Sequence, residues 1–270
     1  MQVIEISDTL SRETEAYFHL TDAQMRSRQE PEKGIFIAEG PKVVGTALAE
    51  GYKPLSVLIR RKFLETEQGM ELLERAGEVP VFTADDEVLA ELTGFRLQRS
   101  WILSAMHRKP ERKQSEVLES ARRIAVLEGI TEPSNVGSIF RSAAALGVDA
   151  ILLSPTCCDP YHRRSVRVCM GALFRIPFAR TDTQLAVPEL KAQGFTCIGL
   201  ALEEGSVPLD DPRFLDLPRA ALFLGTEDTG LCPDTIARMD HLAVIPMAEG
   251  IDSLNVGCAA AVAFWQLRCR

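Results

Sequence analysis

The chain has 270 residues, 46% of them hydrophobic and 25% charged, the balance of a soluble globular protein long enough for one large or two ordinary domains. No apolar run reaches the length of a membrane span, and residues 1–8 lack the basic-then-apolar pattern of a secretory signal; seven cysteines without paired spacing argue against a disulfide framework and for a reducing cytoplasm. A net charge of −8 weighs against a general nucleic-acid binder, though basic clusters at Arg60-Arg61-Lys62, Arg122-Arg123 and His162-Arg163-Arg164 with Arg167 leave room for a local phosphate-binding face.

In chain order, residues 1–32 read as a helical or irregular lead-in. A βα rhythm then fills a first domain, 33–106, with strands predicted at 35–38, 55–59, 79–82 and 101–106 and helices at 41–49, 63–76 and 85–92. Residues 107–120 are charged, contain Pro110 and lack apolar periodicity, which predicts a linker. The second domain, 121–270, restarts the alternation, with short apolar strands at 124–127, 150–153, 196–200, 220–224 and 242–245 and helices at 136–146, 183–192, 233–239 and 254–267. Buried strands alternating with helices imply an α/β domain with a parallel sheet.

Common site signatures are absent: no G-x-G-x-x-G, no P-loop, no H-E-x-x-H and no G-x-S-x-G, and the four histidines are too scattered for a zinc site. Three turns carry the signal instead, each joining a strand-like run to a helix: Asn135-Val136-Gly137-Ser138-Ile139-Phe140-Arg141, Leu224-Gly225-Thr226-Glu227-Asp228-Thr229-Gly230, and Ile251-Asp252-Ser253-Leu254-Asn255-Val256-Gly257. In an open α/β sheet that edge is where ligands bind. Each turn also has a capping explanation, with Asn135 and Ser253 at N-cap positions and Glu227 in a first turn. Arg141 stands among Ile139, Phe140 and Ala143-Ala144-Ala145, where an idle buried charge is costly, and this points to a functional arginine.

Taken together, the chain resembles the SpoU (TrmH-type) RNA 2′-O-ribose methyltransferases of the SPOUT superfamily over roughly residues 34–270. The family's three motifs appear in order, as residues 132–141 from Glu132-Pro133-Ser134-Asn135 to Arg141, then Leu224 to Leu231, then Ile245-Pro246-Met247 with Ser253-Leu254-Asn255-Val256. Residues 159–167 resemble the stretch that precedes the family's M-G element, here Met170-Gly171, and residues 36–42 are similar to its small N-terminal substrate-recognition domain. Cys169 stands where serine is common, Gly257 where serine often follows the third motif, and residues 98–102 lack the usual glycine-containing strand.

The resemblance implies a parallel α/β domain whose C-terminal segment threads a trefoil knot, preceded by a smaller α/β recognition domain. It implies a homodimer acting on rRNA or tRNA, with S-adenosylmethionine held by Leu224, Gly225, Ile245, Met247 and Leu254 and no metal. Asn135, Arg141, Glu227, Ser253 and Asn255 are the implied catalytic set, and Arg163, Arg164 and Arg167 the implied phosphate contacts. Two other readings remain: a non-catalytic RNA-binding protein on the same scaffold, and a metabolic α/β enzyme acting on a small molecule.

Overall fold

A computed structural model of the chain describes residues 2–6, 12–20, 32–97, 100–251 and 253–268; Asp252 of the third turn and Gln98 and Arg99 lie outside the described residues. The chain divides into two compact units, Met1–Pro110 with Tyr161–Phe174, and Glu111–Pro160 with Arg175–Arg270.

The first unit holds β1 (Gln2–Glu5), β2 (Ile35–Glu39), α1 (Pro41–Ala49), β3 (Pro54–Arg60), α2 (Glu67–Ala76), β4 (Pro80–Ala84), α3 (Asp86–Thr93) and β5 (Ile102–His107), and from later in the chain α6 (Arg163–Val168). Its sheet runs β1-β4-β3-β5-β2, parallel through β1, β4 and β3 and antiparallel at β5 and β2. One core of this unit joins Tyr17, Ile37, Leu58, Phe82, Leu89 and Leu103. The lead-in therefore differs from the sequence reading: alternation is too short to see in Gln2-Val3-Ile4-Glu5, yet these residues pair in register with Pro80 to Thr83. Helix α2 starts later than predicted because Thr66 caps it, its Oγ1 accepting from Gly69 N at 3.2 Å.

The second unit comprises α4 (Gln114–Leu118), β6 (Arg123–Leu127), α5 (Pro133–Leu146), β7 (Ala150–Leu153), β8 (Phe178–Arg180), α7 (Thr183–Ala192), β9 (Thr196–Leu200), β10 (Val207–Pro208), β11 (Ala220–Leu224), α8 (Pro233–Ile236), β12 (His241–Val244) and α9 (Val256–Leu267). Its seven strands are all parallel, in the order β10-β12-β9-β11-β6-β7-β8. Strands β6 and β11 are buried at every position, which is why they read as unbroken apolar runs. The predicted linker is half helix: Val117 and Leu118 of α4 are buried in the core with Val126, Leu152, Phe195 and Phe223.

The strand order reverses between β6 and β11. From β6 the chain steps outward through β7 to β8, and the later strands fill the other side. A crevice at the carboxyl ends of such a pair is the usual ligand position in open parallel sheets.

Residues 161–174, grouped by sequence with the second half, pack in the first unit. Aromatic rings explain it: Phe36 meets Tyr161 at 5.0 Å and Phe174 at 5.5 Å between centroids, and the Tyr52 and Tyr161 hydroxyls lie 2.9 Å apart. Cys157, Cys169 and Cys197 are buried packing residues. Burial pushes the Cys197 thiol up to about 12 and also raises Cys169, so neither is a thiolate at neutral pH. Phe223→Ala, in the centre of the parallel sheet, should cost about 3–5 kcal/mol in denaturant unfolding; a loss below about 1 kcal/mol would show that this strand is not part of the core.

Candidate active site

All three turns identified by sequence sit at or beyond the carboxyl ends of β6, β11 and β12, and side-chain hydrogen bonds join them. Glu132, not Asn135, is the N-cap of α5; its carboxylate accepts from Ser134 N at 3.3 Å. Asn135 lies inside the first helical turn, 8% exposed, and its amide is free for tertiary use. Its Nδ2 donates to Glu227 Oε1, and its Oδ1 accepts from Asn255 Nδ2 at 2.9 Å. Asn255, not Ser253, caps α9, with Oδ1 accepting from Gly257 N at 3.0 Å and Cys258 N at 3.4 Å. The capping explanations for Asn135, Glu227 and Ser253 thus give way to one chain, Glu227–Asn135–Asn255, through the first, second and third turns.

Two glycines permit the approach. A Cβ on Gly225 would lie 2.1 Å from the carbonyl carbon of Gly230 and 2.3 Å from Leu231 N, so no other residue fits there. The turn closes on itself, Thr226 N to Gly230 O at 3.0 Å and Gly230 N to Thr226 O at 3.1 Å. A Cβ on Gly257 would sit 3.0 Å from Ser138 Cβ, which brings α9 tightly against α5 one turn past Asn135. That close approach gives a local reason for glycine at 257.

Beside this chain is a cleft of about 190 Å³. Leu224, Gly225, Ile245, Met247 and Leu254 all line it, with Glu227 and Ser253 at its polar side. Leu200, Ala201 and Leu202 also line it. Sequence reasoning did not name them because their position depends on β9 lying between β11 and β12, which no local pattern reveals.

Arg141 is exposed, which corrects the expectation of a charge held among apolar neighbours. Ile139, Phe140 and Ala143 turn inward while Arg141, Ala144 and Ala145 face out. Arg141 makes no ion pair or side-chain hydrogen bond among the described residues.

The arginines of α6 behave differently. Arg163 Nη1 is 2.6 Å from Glu39 Oε2 and Arg167 Nη1 3.5 Å from Glu39 Oε1, on a carboxylate only 1% exposed. Arg163 also lies over the Phe95 ring at 4.7 Å. Arg163 is therefore committed inside the first unit, while Arg164 and Arg167 are exposed.

Asn135→Ala should lower stability by about 1–2 kcal/mol, since both Glu227 and Asn255 lose a partner but regain water. Urea unfolding measures this, and a change within a few tenths would mean that the three turns are not held by this residue.

Comparison with known proteins agrees with this geometry. The model of the SpoU rRNA methylase family matches residues 122–265. An uncharacterized tRNA/rRNA methyltransferase of Mycobacterium tuberculosis is 37% identical over 238 residues, covering 87% of this chain and 81% of that protein. The 23S rRNA (guanosine-2′-O-)-methyltransferase RlmB of Pseudomonas aeruginosa is 28% identical over 256 residues, 92% of this chain and 93% of that one. The AdoMet-bound rRNA methyltransferase of Sinorhizobium meliloti superposes with a TM-score of 0.83 at 26% identity, covering 99% of this chain and 98% of that one. With the three joined turns, the matched family model and relatives along nearly its whole length, the chain belongs to the SpoU methyltransferase family.

Proposed function

We propose that the chain is an S-adenosylmethionine-dependent RNA methyltransferase that modifies a ribose 2′-hydroxyl in rRNA or tRNA. The observation that carries this reading is the Glu227–Asn135–Asn255 chain beside an apolar cleft at the carboxyl ends of β9, β11 and β12. The relatives' names, all three for rRNA or tRNA methyltransferases and one of them for transfer to a 2′-oxygen, support the same chemistry.

The cleft fits the cofactor. Its walls are mainly aliphatic, its lining contains no lysine or arginine, and the Glu227 carboxylate suits a neighbouring cation. Leu224, Gly225, Ile245, Met247 and Leu254 would hold it. S-adenosylmethionine, when bound, supplies a methyl group on a good leaving group.

The protein's own task is to position and activate a weakly acidic hydroxyl. Asn135, fixed on both sides, and Ser253 at the cleft are placed to orient the ribose, and Asn255 and Glu227 hold Asn135 in place. Arg141 is a poor general base because a guanidinium carries donors and no acceptor. Its exposed, uncommitted charge instead suits a phosphate of the RNA, gathering it beside the ribose and stabilising the alkoxide that develops as the proton leaves. Arg164 and Arg167 are further phosphate contacts, whereas Arg163 serves to anchor α6 on Glu39.

In this reading the C-terminal segment threads a trefoil knot, and the protein works as a homodimer in the cytoplasm. An exposed stripe on α9, Cys258, Val262 at 43% and Trp265 at 56% exposure, suits a second copy of the chain. No helix among the described residues is long and apolar enough to cross a membrane.

Arg141→Ala should reduce methyl transfer to RNA by at least about a hundredfold, as for loss of one transition-state donor, while calorimetry shows S-adenosylmethionine binding within about twofold of wild type. Near-normal transfer by this variant would remove Arg141 from the mechanism.

A further inference from the structure

Glu39, the last residue of β2, is a carboxylate almost without solvent, its side chain 1% exposed. It lies outside the three motifs. A buried carboxylate needs a compensating cation, and Arg163 supplies it, with Nη1 2.6 Å from Oε2 and its own side chain 20% exposed. Arg163 alone balances the charge. Yet a second arginine reaches the other oxygen: Arg167 Nη1 lies 3.5 Å from Oε1, with 59% of its side chain in solvent.

The helix explains how one carboxylate meets both. Arg163 and Arg167 stand four residues apart on α6 and so share the face that packs on β2. The two ion pairs are not equivalent. The first is short and buried, and it holds α6 to the sheet. The second is long and largely solvated, and a pair of that kind adds little to stability. Its effect is to restrict a long side chain that would otherwise sample many rotamers. Among the described residues Arg167 makes no other ion pair or side-chain hydrogen bond, so most of its N–H donors remain to be used. Arg163, Arg164 and Arg167 against one carboxylate leave two positive charges here, in a chain whose formal net charge is −8.

We infer that Glu39 is a positioning residue for RNA: it holds the Arg167 guanidinium in the orientation in which its remaining donors take a backbone phosphate. The inference rests on the methyl-transfer reading above, in which Arg167 is a phosphate contact. A guanidinium can serve a carboxylate with one nitrogen and a phosphate with the others, because its donors diverge in one rigid plane. An arginine already ordered loses less freedom on binding, and ordering one such side chain costs roughly two- to tenfold in affinity. Charge alone would act in the opposite sense. Glu39 is negative and stands beside a phosphate contact, so on Coulombic grounds its neutralisation would strengthen RNA binding. Through orientation, its loss weakens binding. Glu39→Gln separates the two effects: the amide keeps the shape but has one acceptor oxygen, enough for Arg163, and its amino group presents a donor to Arg167.

The test measures methyl transfer by the full-length protein from S-adenosylmethionine to unmodified transcripts of 23S rRNA and of transfer RNAs, on whichever transcript the wild type methylates. Glu39→Gln should raise KM for RNA by about two- to tenfold, leave kcat at saturating RNA unchanged, and make KM less salt-dependent, with a log–log slope smaller by up to about one. In an Arg167→Ala background the same change should raise KM no further, because the group it orients is gone. Glu39→Gln combined with Arg163→Met leaves no buried charge alone, so this pair is measured alongside as a variant that keeps the fold and should show the same rise. An unchanged or lowered KM in both Glu39 variants, an unchanged KM in Arg167→Ala, or a full further rise in the Arg167→Ala background would overturn the positioning role while leaving the methyltransferase reading in place. Wild-type protein that methylates none of these transcripts would overturn both.

Discussion

One buried amide holds the candidate site together. Asn135 is the only member of the polar chain removed from solvent, and it donates to one loop while accepting from another. An asparagine can do this because its side chain carries a donor and an acceptor on the same small group. A carboxylate in its place would repel Glu227, and an aliphatic residue would leave both partners to water. The three loops lie up to 120 residues apart in the chain, so local sequence cannot hold them in register. A tertiary hydrogen bond must, and packing at Gly225 and Gly257 sets how near the backbones come.

The sheet explains why that bond sits at a ligand site. Parallel strands β6 and β11 are adjacent although nearly a hundred residues apart in the chain, and the chain departs from them in opposite directions. Their carboxyl ends leave a crevice bounded by the Thr226–Gly230 turn, and the apolar cleft lies on that turn's other side, at the ends of β9, β11 and β12. One side is aliphatic and carries Glu227; the other is lined by hydroxyls and carboxylates. Among the described residues no lysine or arginine lines either side, and exposed arginines stand on α5 and on α6. The net charge of −8 is compatible with RNA binding on these terms, because the positive groups are local and exposed while much of the acidity is spent on caps, braces and ion pairs.

Much of this was legible in the sequence, and the reasons differ by element. Strands β6 and β11 were plain because strands covered on both faces are continuous apolar runs. The residues of the three turns were legible as a set, and Leu224, Gly225, Thr226, Glu227 and Gly230 of the second turn line the apolar cleft. The physical roles were less legible. Capping residues were placed from local rules, which cannot see that Glu132 had already capped α5 and left Asn135 for a distant partner. Arg141 was read as costly because its neighbours are apolar in sequence, whereas on a helix those neighbours turn to the other face. The pairing of Arg163 with Glu39 spans 124 residues, and no spacing rule reaches that far. Leu200 to Leu202 were invisible for the same reason: only the strand order brings β9 to the cleft.

The most direct measurement is a crystal structure of the protein with S-adenosylmethionine. The account predicts the cofactor's body against Leu224, Ile245, Met247 and Leu254, with the Asn135–Glu227 and Asn135–Asn255 hydrogen bonds intact beside it. A cofactor bound away from these loops, or bound only after the two hydrogen bonds have broken, would contradict it.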